Sequence, residues 1–444
     1  MDPGKRMAHL LRRAGFGLAP RELEQRLATG FERTVADLLE FQATDDGLQN
    51  LDQLVGGILD FNAIEDVRTW WVYRMVHTRR PLVEKVAFFW HGHFATSIGK
   101  VGNAAWMAQQ NQIFREHGLG RFGELLQRVA RDPAMLTYLD GASNRKASPN
   151  ENFAREVMEL FTVGLGHYTE TDVREAARAF TGWELRDGAF TFVAADHDDG
   201  NKTFLGHTGR LDGSDILRIL AEHPETAGHV CRKLFAFFAY DGPEAKALQP
   251  LLRAWSETGG SIREVLRTLF LSDAFSSPRA WRAKIKSPAE YAIGSIRALG
   301  GTVTPRAMVP LMARMGQDLF NPPSVKGWDG GTAWISTSSL FERFNFAAAL
   351  TAQRGGEGTS HVDPEAVFEG MQPTSVEDVL DRTVAKLLDG ELPADSRAAL
   401  RSYLEVPDDP KGKPGPFVFD RRFVDGKLRG LLHLVLATPE YQLS

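Results

Sequence analysis

Pro81-Leu82-Val83-Glu84-Lys85-Val86-Ala87-Phe88-Phe89-Trp90-His91-Gly92-His93-Phe94 decides the fold class. Leu82, Val86 and Phe89 recur at three- and four-residue steps, and Val83, Ala87 and Trp90 run as a second stripe beside them. That period marks a helix buried over a broad face. Pro81 suits its first turn, where the backbone N–H would have no partner in any case.

The same period continues on both sides of this stretch. It predicts helices over 21–27, 31–39, 66–76, 103–116, 122–131 and 133–140. Helices over 152–163 and 172–181 follow, with Thr169 as N-cap and Asp172 in the third position of a capping box. The pattern then changes. Residues 189–193 alternate as a strand does, Asp198-Asp199-Gly200-Asn201 has turn chemistry, and 202–205 reads as the return strand. Helical spacing resumes over 214–221, 226–238, 243–256, 262–271, 288–298, 305–315 and 339–350. Between them, 321–339 reads as a structured loop, and 353–364 and 407–416 as polar Gly/Pro-rich loops. The expectation is a mainly α protein, a multi-helix orthogonal bundle with a small β-hairpin insertion near 189–205. It is read as a single large helical domain over 1–444, with sub-lobes 1–245, which hold the motifs, and 246–444. One internal echo stands out: 265–275 and 431–441 both read as an apolar helix, a Ser or Thr, then an aromatic residue. The two are equivalent helix–turn units or a coincidence.

Composition bounds the function. The 444 residues carry 52 Lys and Arg against 57 Asp and Glu, a net charge of −5. A general nucleic-acid binder needs the opposite balance. The one cysteine, Cys231, excludes an intrachain disulfide and thiolate-rich metal sites, and its amphipathic surroundings read as a buried small hydrophobe. The most apolar run near the end, 431–437, is far shorter than a bilayer span, so no transmembrane segment is expected. Arg12-Arg13 precedes no hydrophobic run, so no export signal is read. A cytoplasmic location follows, with a periplasmic one as the alternative.

Three clusters can carry chemistry. In Trp90-His91-Gly92-His93-Phe94 two imidazoles stand two residues apart. On a helix they diverge by about 200° and cannot share an ion, whereas on an extended segment they can. They can equally serve as donors at a helix C-terminus. In the second cluster Asn152, Glu156 and Glu159 share a helical face, and paired carboxylates there suit a metal or acid/base work. Ion pairing with Arg155, Arg174 and Arg178 is the plainer reading. The third, Asp196-His197-Asp198-Asp199-Gly200-Asn201-Lys202, fails the calcium-loop spacing and reads as an acidic hairpin turn, with His197 as a possible site element. Leu11-Arg12-Arg13-Ala14-Gly15-Phe16-Gly17 is not a phosphate loop, because it follows a helix and lacks the Gly-Lys-Ser/Thr ending. A helix end with a left-handed glycine explains it better.

These blocks, with Glu159-Leu160-Phe161-Thr162-Val163-Gly164, Glu175-Ala176-Ala177-Arg178-Ala179-Phe180-Thr181-Gly182-Trp183, Lys286-Ser287-Pro288-Ala289-Glu290 and Pro322-Pro323-Ser324-Val325-Lys326-Gly327-Trp328, resemble the bacterial family catalogued as domain of unknown function 1800. The resemblance spans nearly the whole chain, in the family's order. It implies a mainly helical fold and a partner: members are often exported and encoded beside a second family resembling sulfatases and alkaline phosphatases. It implies no reaction and no catalytic residue. The blocks hold the polar residues already singled out. The sharpest expectation is therefore a metal-assisted or acid/base enzyme, a hydrolase by preference, acting on a polar or anionic substrate. His91, His93, Glu156 and Glu159 would hold a divalent metal. Glu156 and His197 would act in catalysis, with Arg155 and Lys202 as anion clamps. The alternative is a non-catalytic binding module that partners the sulfatase- or phosphatase-like protein through an exposed loop around Trp328 and Trp334.

Overall fold

Nearly every apolar stripe predicted above finds a partner stripe in the computed structural model, which describes residues 1–48, 51, 59–301, 304–352, 362–406 and 416–444. Most of the loop segments read over 353–364 and 407–416 lie outside the described residues. The chain is mainly helical with two small antiparallel hairpins. Helices Ile64–His77, Pro81–His93 and Ala104–His117 pack on one another, and one apolar core runs without a break from Met7 to Tyr441. Two helices, Val376–Leu388 and Ala394–Glu405, add to those expected. No described helix is long and apolar enough to cross a membrane.

Local signals explain the ends of the elements. The Glu170–Ala179 helix opens on the predicted capping box, Thr169 with Asp172. The Pro3–Arg13 helix ends without a glycine at its cap. The left-handed glycine is Gly17, at φ 101°, and a Cβ there would sit 2.9 Å from the Gly294 backbone. Close approach of two backbones is what this glycine serves.

The predicted hairpin is corrected. Residues 189–192 do form a strand, but β2 (Ala189–Phe192) pairs with β1 (Trp183–Arg186), and β3 (Lys202–Phe204) pairs with β4 (His207–Gly209). Asp187-Gly188 closes the first hairpin with both residues at positive φ, which is the strongest two-residue hairpin signal. The acidic turn is spoken for elsewhere. Arg178 donates to the Asp198 carboxylate at 2.7 Å, and the buried Lys202 ammonium donates to the carbonyls of Asp198 and Gly200.

The internal echo is structural. After the Ile262–Leu271 helix the Ser272 hydroxyl donates to the Leu269 carbonyl and accepts the Phe275 N–H. After the Arg429–Ala437 helix the Thr438 hydroxyl donates to Val435 and accepts the Tyr441 N–H. Each unit then buries its aromatic ring.

Two buried carboxyls have opposite fates. Glu84, 1% exposed, accepts from Trp71 Nε1, from Arg74 Nε at 2.8 Å and from Arg115 Nε at 2.8 Å. Burial alone would raise its pKa, but Arg115 and Arg74 outweigh it and hold the group at about 2. Replacing Glu84 by Gln leaves Arg115 buried without its counter-charge. The expected loss is roughly 3–5 kcal/mol in urea unfolding, and a loss below ~1 kcal/mol would show that the arginines re-pair.

Asp132 has no cation beside it among the described residues. Its Oδ2 accepts from Gln110 Nε2 and the Met135 N–H, its Oδ1 has no partner, and burial raises its pKa to about 7. The folded value lies above the unfolded one, near 3.9. Asp132 therefore contributes most to stability below about pH 4, and that contribution is lost as pH rises to about 7. Asp132→Asn keeps the cap oxygen and is expected to be the more stable form at pH 8, with a flatter stability profile between about pH 4 and 7. Parallel profiles for the two proteins would refute this account.

Candidate functional site

Three parts of the chain meet around a cleft of about 360 Å³, a size suited to a small molecule. The Pro81–His93 helix contributes Phe88, Phe89, Gly92 and His93, and the Pro224–Phe238 helix contributes Lys233, Ala236 and Phe237. The third wall is the Gly/Trp segment, with Lys326, Trp328, Asp329 and Trp334, and Arg13, Asp241, Lys284, Ser287 and Glu290 also line the cleft.

The wall is seated backbone on backbone. Gly327 has φ 82°, and a Cβ there would lie 2.4 Å from the Gly92 carbonyl oxygen. His91 pins the segment from beneath. Its Nε2 accepts the N–H of Phe320, a non-glycine residue at φ 61°, and its ring lies 5.5 Å from that of Trp328. Burial pushes His91 down to about 3, which keeps that acceptor unprotonated.

His93 is oriented by a break in a neighbouring helix. The Glu151–Glu156 helix widens into a π-turn over Val157–Phe161, and the carbonyls near its end are left for side chains to satisfy. His93 Nε2–H donates to the Phe161 carbonyl at 3.1 Å, and His229 Nε2–H donates to the Leu160 carbonyl at 3.0 Å. Burial, aided by the charge of Lys233, holds both rings neutral: His229 falls to about 4 and His93 falls well below its ordinary value. With Nε2 carrying the proton, His93 Nδ1 is a bare lone pair, and it has no partner among the described residues.

The charges in the cleft do not cancel. Each of its three acids is matched to a lysine: Asp241 to Lys284 at 2.6 Å, Asp329 to Lys326 at 3.4 Å, and Glu290 to Lys85 from below. Two cations are left over. Arg13, 3% exposed, donates from Nη2 to the Ala280 carbonyl, but its Nε has no partner and no carboxylate pairs with it among the described residues. Burial lowers it only to about 10, so it stays charged. Lys233 makes no hydrogen bond or ion pair among the described residues, and burial lowers it to about 8.

Of the residues singled out from sequence, His93 lines this cleft and His91 supports it. The others are elsewhere. Arg155 is bound by Glu170 and Glu151, so it is not a free anion clamp. Lys202 is likewise committed to the turn carbonyls. Glu159 accepts from the Tyr168 hydroxyl, and burial together with Glu159 raises the pKa of Glu156. His197 Nδ1–H donates to the Thr181 carbonyl at 2.8 Å. The four residues expected to hold a metal are not brought together. His91 and His93 sit on one regular helix and face different partners, and among the described residues no group of three or more His, Cys, Asp or Glu is placed to hold an ion. The loop around Trp328 and Trp334 is exposed at Lys326, Asp329, Thr332 and Ala333, while Trp334 is 8% exposed and Trp328 is half-buried against the cleft.

Sequence reasoning passed over Arg13 and Lys233. A signal for Lys233 exists. His229, Lys233 and Phe237 recur every four residues, beside the buried stripe Val230, Leu234 and Phe238. A lysine flanked by a histidine and a phenylalanine on that face is not a solvated surface. Cys231 is the small hydrophobe expected, with burial raising its thiol to about 12.

No curated protein and no solved structure matches the chain. A family model does, over residues 9–443, and the chain belongs to the family it describes, the protein of unknown function DUF1800.

Proposed function

We propose that the chain is an acid/base enzyme whose substrate is a small anion with an apolar or aromatic body, bound in the cleft between His93, Lys233 and Trp328. The observation that carries this reading is the set of three unpartnered groups around one cavity: the bare Nδ1 of His93, the free Nε of Arg13 and the unpaired Lys233. A buried guanidinium without a carboxylate is costly unless an anion joins it. Phe89, Phe237 and Trp328 offer the apolar lining that most small-molecule sites have.

In this reading Arg13 holds the anionic group and His93 moves a proton. The π-turn carbonyl fixes the His93 tautomer, as a base needs a third group to orient it. Acid/base chemistry is favoured over the metal-assisted form because the expected ligands point to separate partners. The alternative is a binding module that meets a sulfatase- or phosphatase-like protein through the exposed loop around Trp328 and Trp334; the cleft reading is favoured because both rings line the cavity.

Phenylacetate is a suitable binding probe, read by tryptophan fluorescence. Saturable quenching is expected, weakened about tenfold or more in Lys233→Met and Arg13→Met and unchanged in Glu156→Gln and His197→Asn. The proton-transfer role is read separately. Wild-type protein should speed exchange of the phenylpyruvate methylene protons into D₂O above the background rate, and His93→Asn should not. Quenching that fails to saturate, or that depends on Glu156 and not on Lys233, would sink the assignment.

A further inference from the structure

We propose that Lys233 is a nucleophile that forms an imine with the carbonyl of a 2-oxo acid bound in the cleft. This deepens the reading of the cleft as an anion site and rests on it.

The inference starts from what a lysine in this position can do. Among the described residues no carboxylate pairs with it, and it lines the same cleft as the aromatic Gly/Trp segment. Burial brings its ammonium down to about 8, so near that pH about half of the side chain is the free amine. A lysine kept for anion binding alone would be better left solvated and fully charged. A desolvated amine is the form that attacks carbonyls.

The neighbours narrow the substrate class. Arg13 is a second, permanent cation in the same cleft, so one anionic group can be held while Lys233 reacts elsewhere on the molecule. A carboxylate next to a carbonyl presents both features. Phe237 lies four residues on from Lys233, one helical turn away, and with Trp328 it can receive an apolar or aromatic tail. His93 lies close enough that the charge on Lys233 helps to hold its ring neutral, and its Nδ1 is free to carry a proton.

The step balances without a cofactor. The Lys233 nitrogen forms a bond to the carbonyl carbon, and the C=O π pair moves onto oxygen. One nitrogen proton passes through His93 to that oxygen, which gives a carbinolamine. The C–O bond then breaks, the oxygen takes up a further proton from solvent by the same route, and water leaves a protonated imine. Nothing is oxidised or reduced. The cation so formed makes the adjacent C–H acidic, which gives the proton-transfer chemistry of the cleft its substrate position.

The test is trapping. Protein at pH 8 is treated with phenylpyruvate and sodium borohydride, then analysed as intact protein and as peptides. The expected product is one adduct with the mass of the keto acid less one oxygen, on Lys233. It should be absent with phenylacetate, absent in Lys233→Arg and unchanged in Lys100→Arg. A urea midpoint within experimental error of wild type shows that the Lys233→Arg protein is folded. Saturable phenylacetate binding without an adduct on Lys233 overturns the imine and leaves the anion cleft standing. Absence of binding by wild-type protein overturns both. An adduct spread over surface lysines also overturns the imine.

Discussion

Two backbone carbonyls order the centre of this protein. The π-turn at 157–161 leaves Leu160 and Phe161 with oxygens that need donors, and the imidazoles of His229 and His93 supply them. The two histidines come from different helices, so this one turn ties three segments together and fixes both tautomers at once. A π-turn costs helix geometry, and such breaks gather where a function needs a shape that a regular helix cannot offer. Here the shape delivered is a neutral imidazole with its second nitrogen unused.

The buried charges around the cleft are paired unevenly. Several buried ions have their counter-ion, as with Glu84 between Arg74 and Arg115, and Lys85 with Glu290. Where the chain lines the cleft it leaves Arg13 and Lys233 without one. An uncompensated buried charge is among the more destabilising features a fold can hold. Arg343 and Lys202 are also buried without a carboxylate, but they are held by amide and carbonyl oxygens in the solid core, whereas Arg13 and Lys233 border a cavity that can admit an anion.

Much of the fold was legible because it rests on local rules. The stripes of the 81–93 helix, the Thr169–Asp172 capping box and the echo around Ser272 and Thr438 involve residues within one or two turns of each other. The hairpins were legible in place but not in pairing. The turn at Asp187-Gly188 outcompetes a longer closure, and Lys202 draws the acidic loop onto itself. The site was harder. His93 was visible as part of a histidine pair, yet its partner Phe161 lies 68 residues away, and a π-turn leaves no mark in residue spacing. The carboxylates singled out as most chemical, Glu156 and Glu159, lie on either side of the step from α-helix to π-turn, and neither lines the cleft. Charge clusters in sequence report where polar residues are, and only tertiary structure reports which of them lack partners.

That distinction also orders the family's sequence blocks. The Leu10–Gly17 block, the Trp90–Phe94 block, the Lys286–Glu290 block and the Lys326–Trp328 block are far apart in the chain, and each places a side chain in the cleft lining: Arg13, His93, Glu290 and Trp328. The blocks around Arg155, Arg178 and Lys202 are instead closed on themselves by ion pairs and carbonyl contacts. Their work is to hold the scaffold, and above all to set the 151–161 segment so that its last carbonyls meet the two histidines. One group of blocks lines the cavity, and the other lies beside the helix whose last carbonyls accept from His93 and His229. The same protein therefore shows dense polar motifs far from the cavity and sparse, unpaired groups within it.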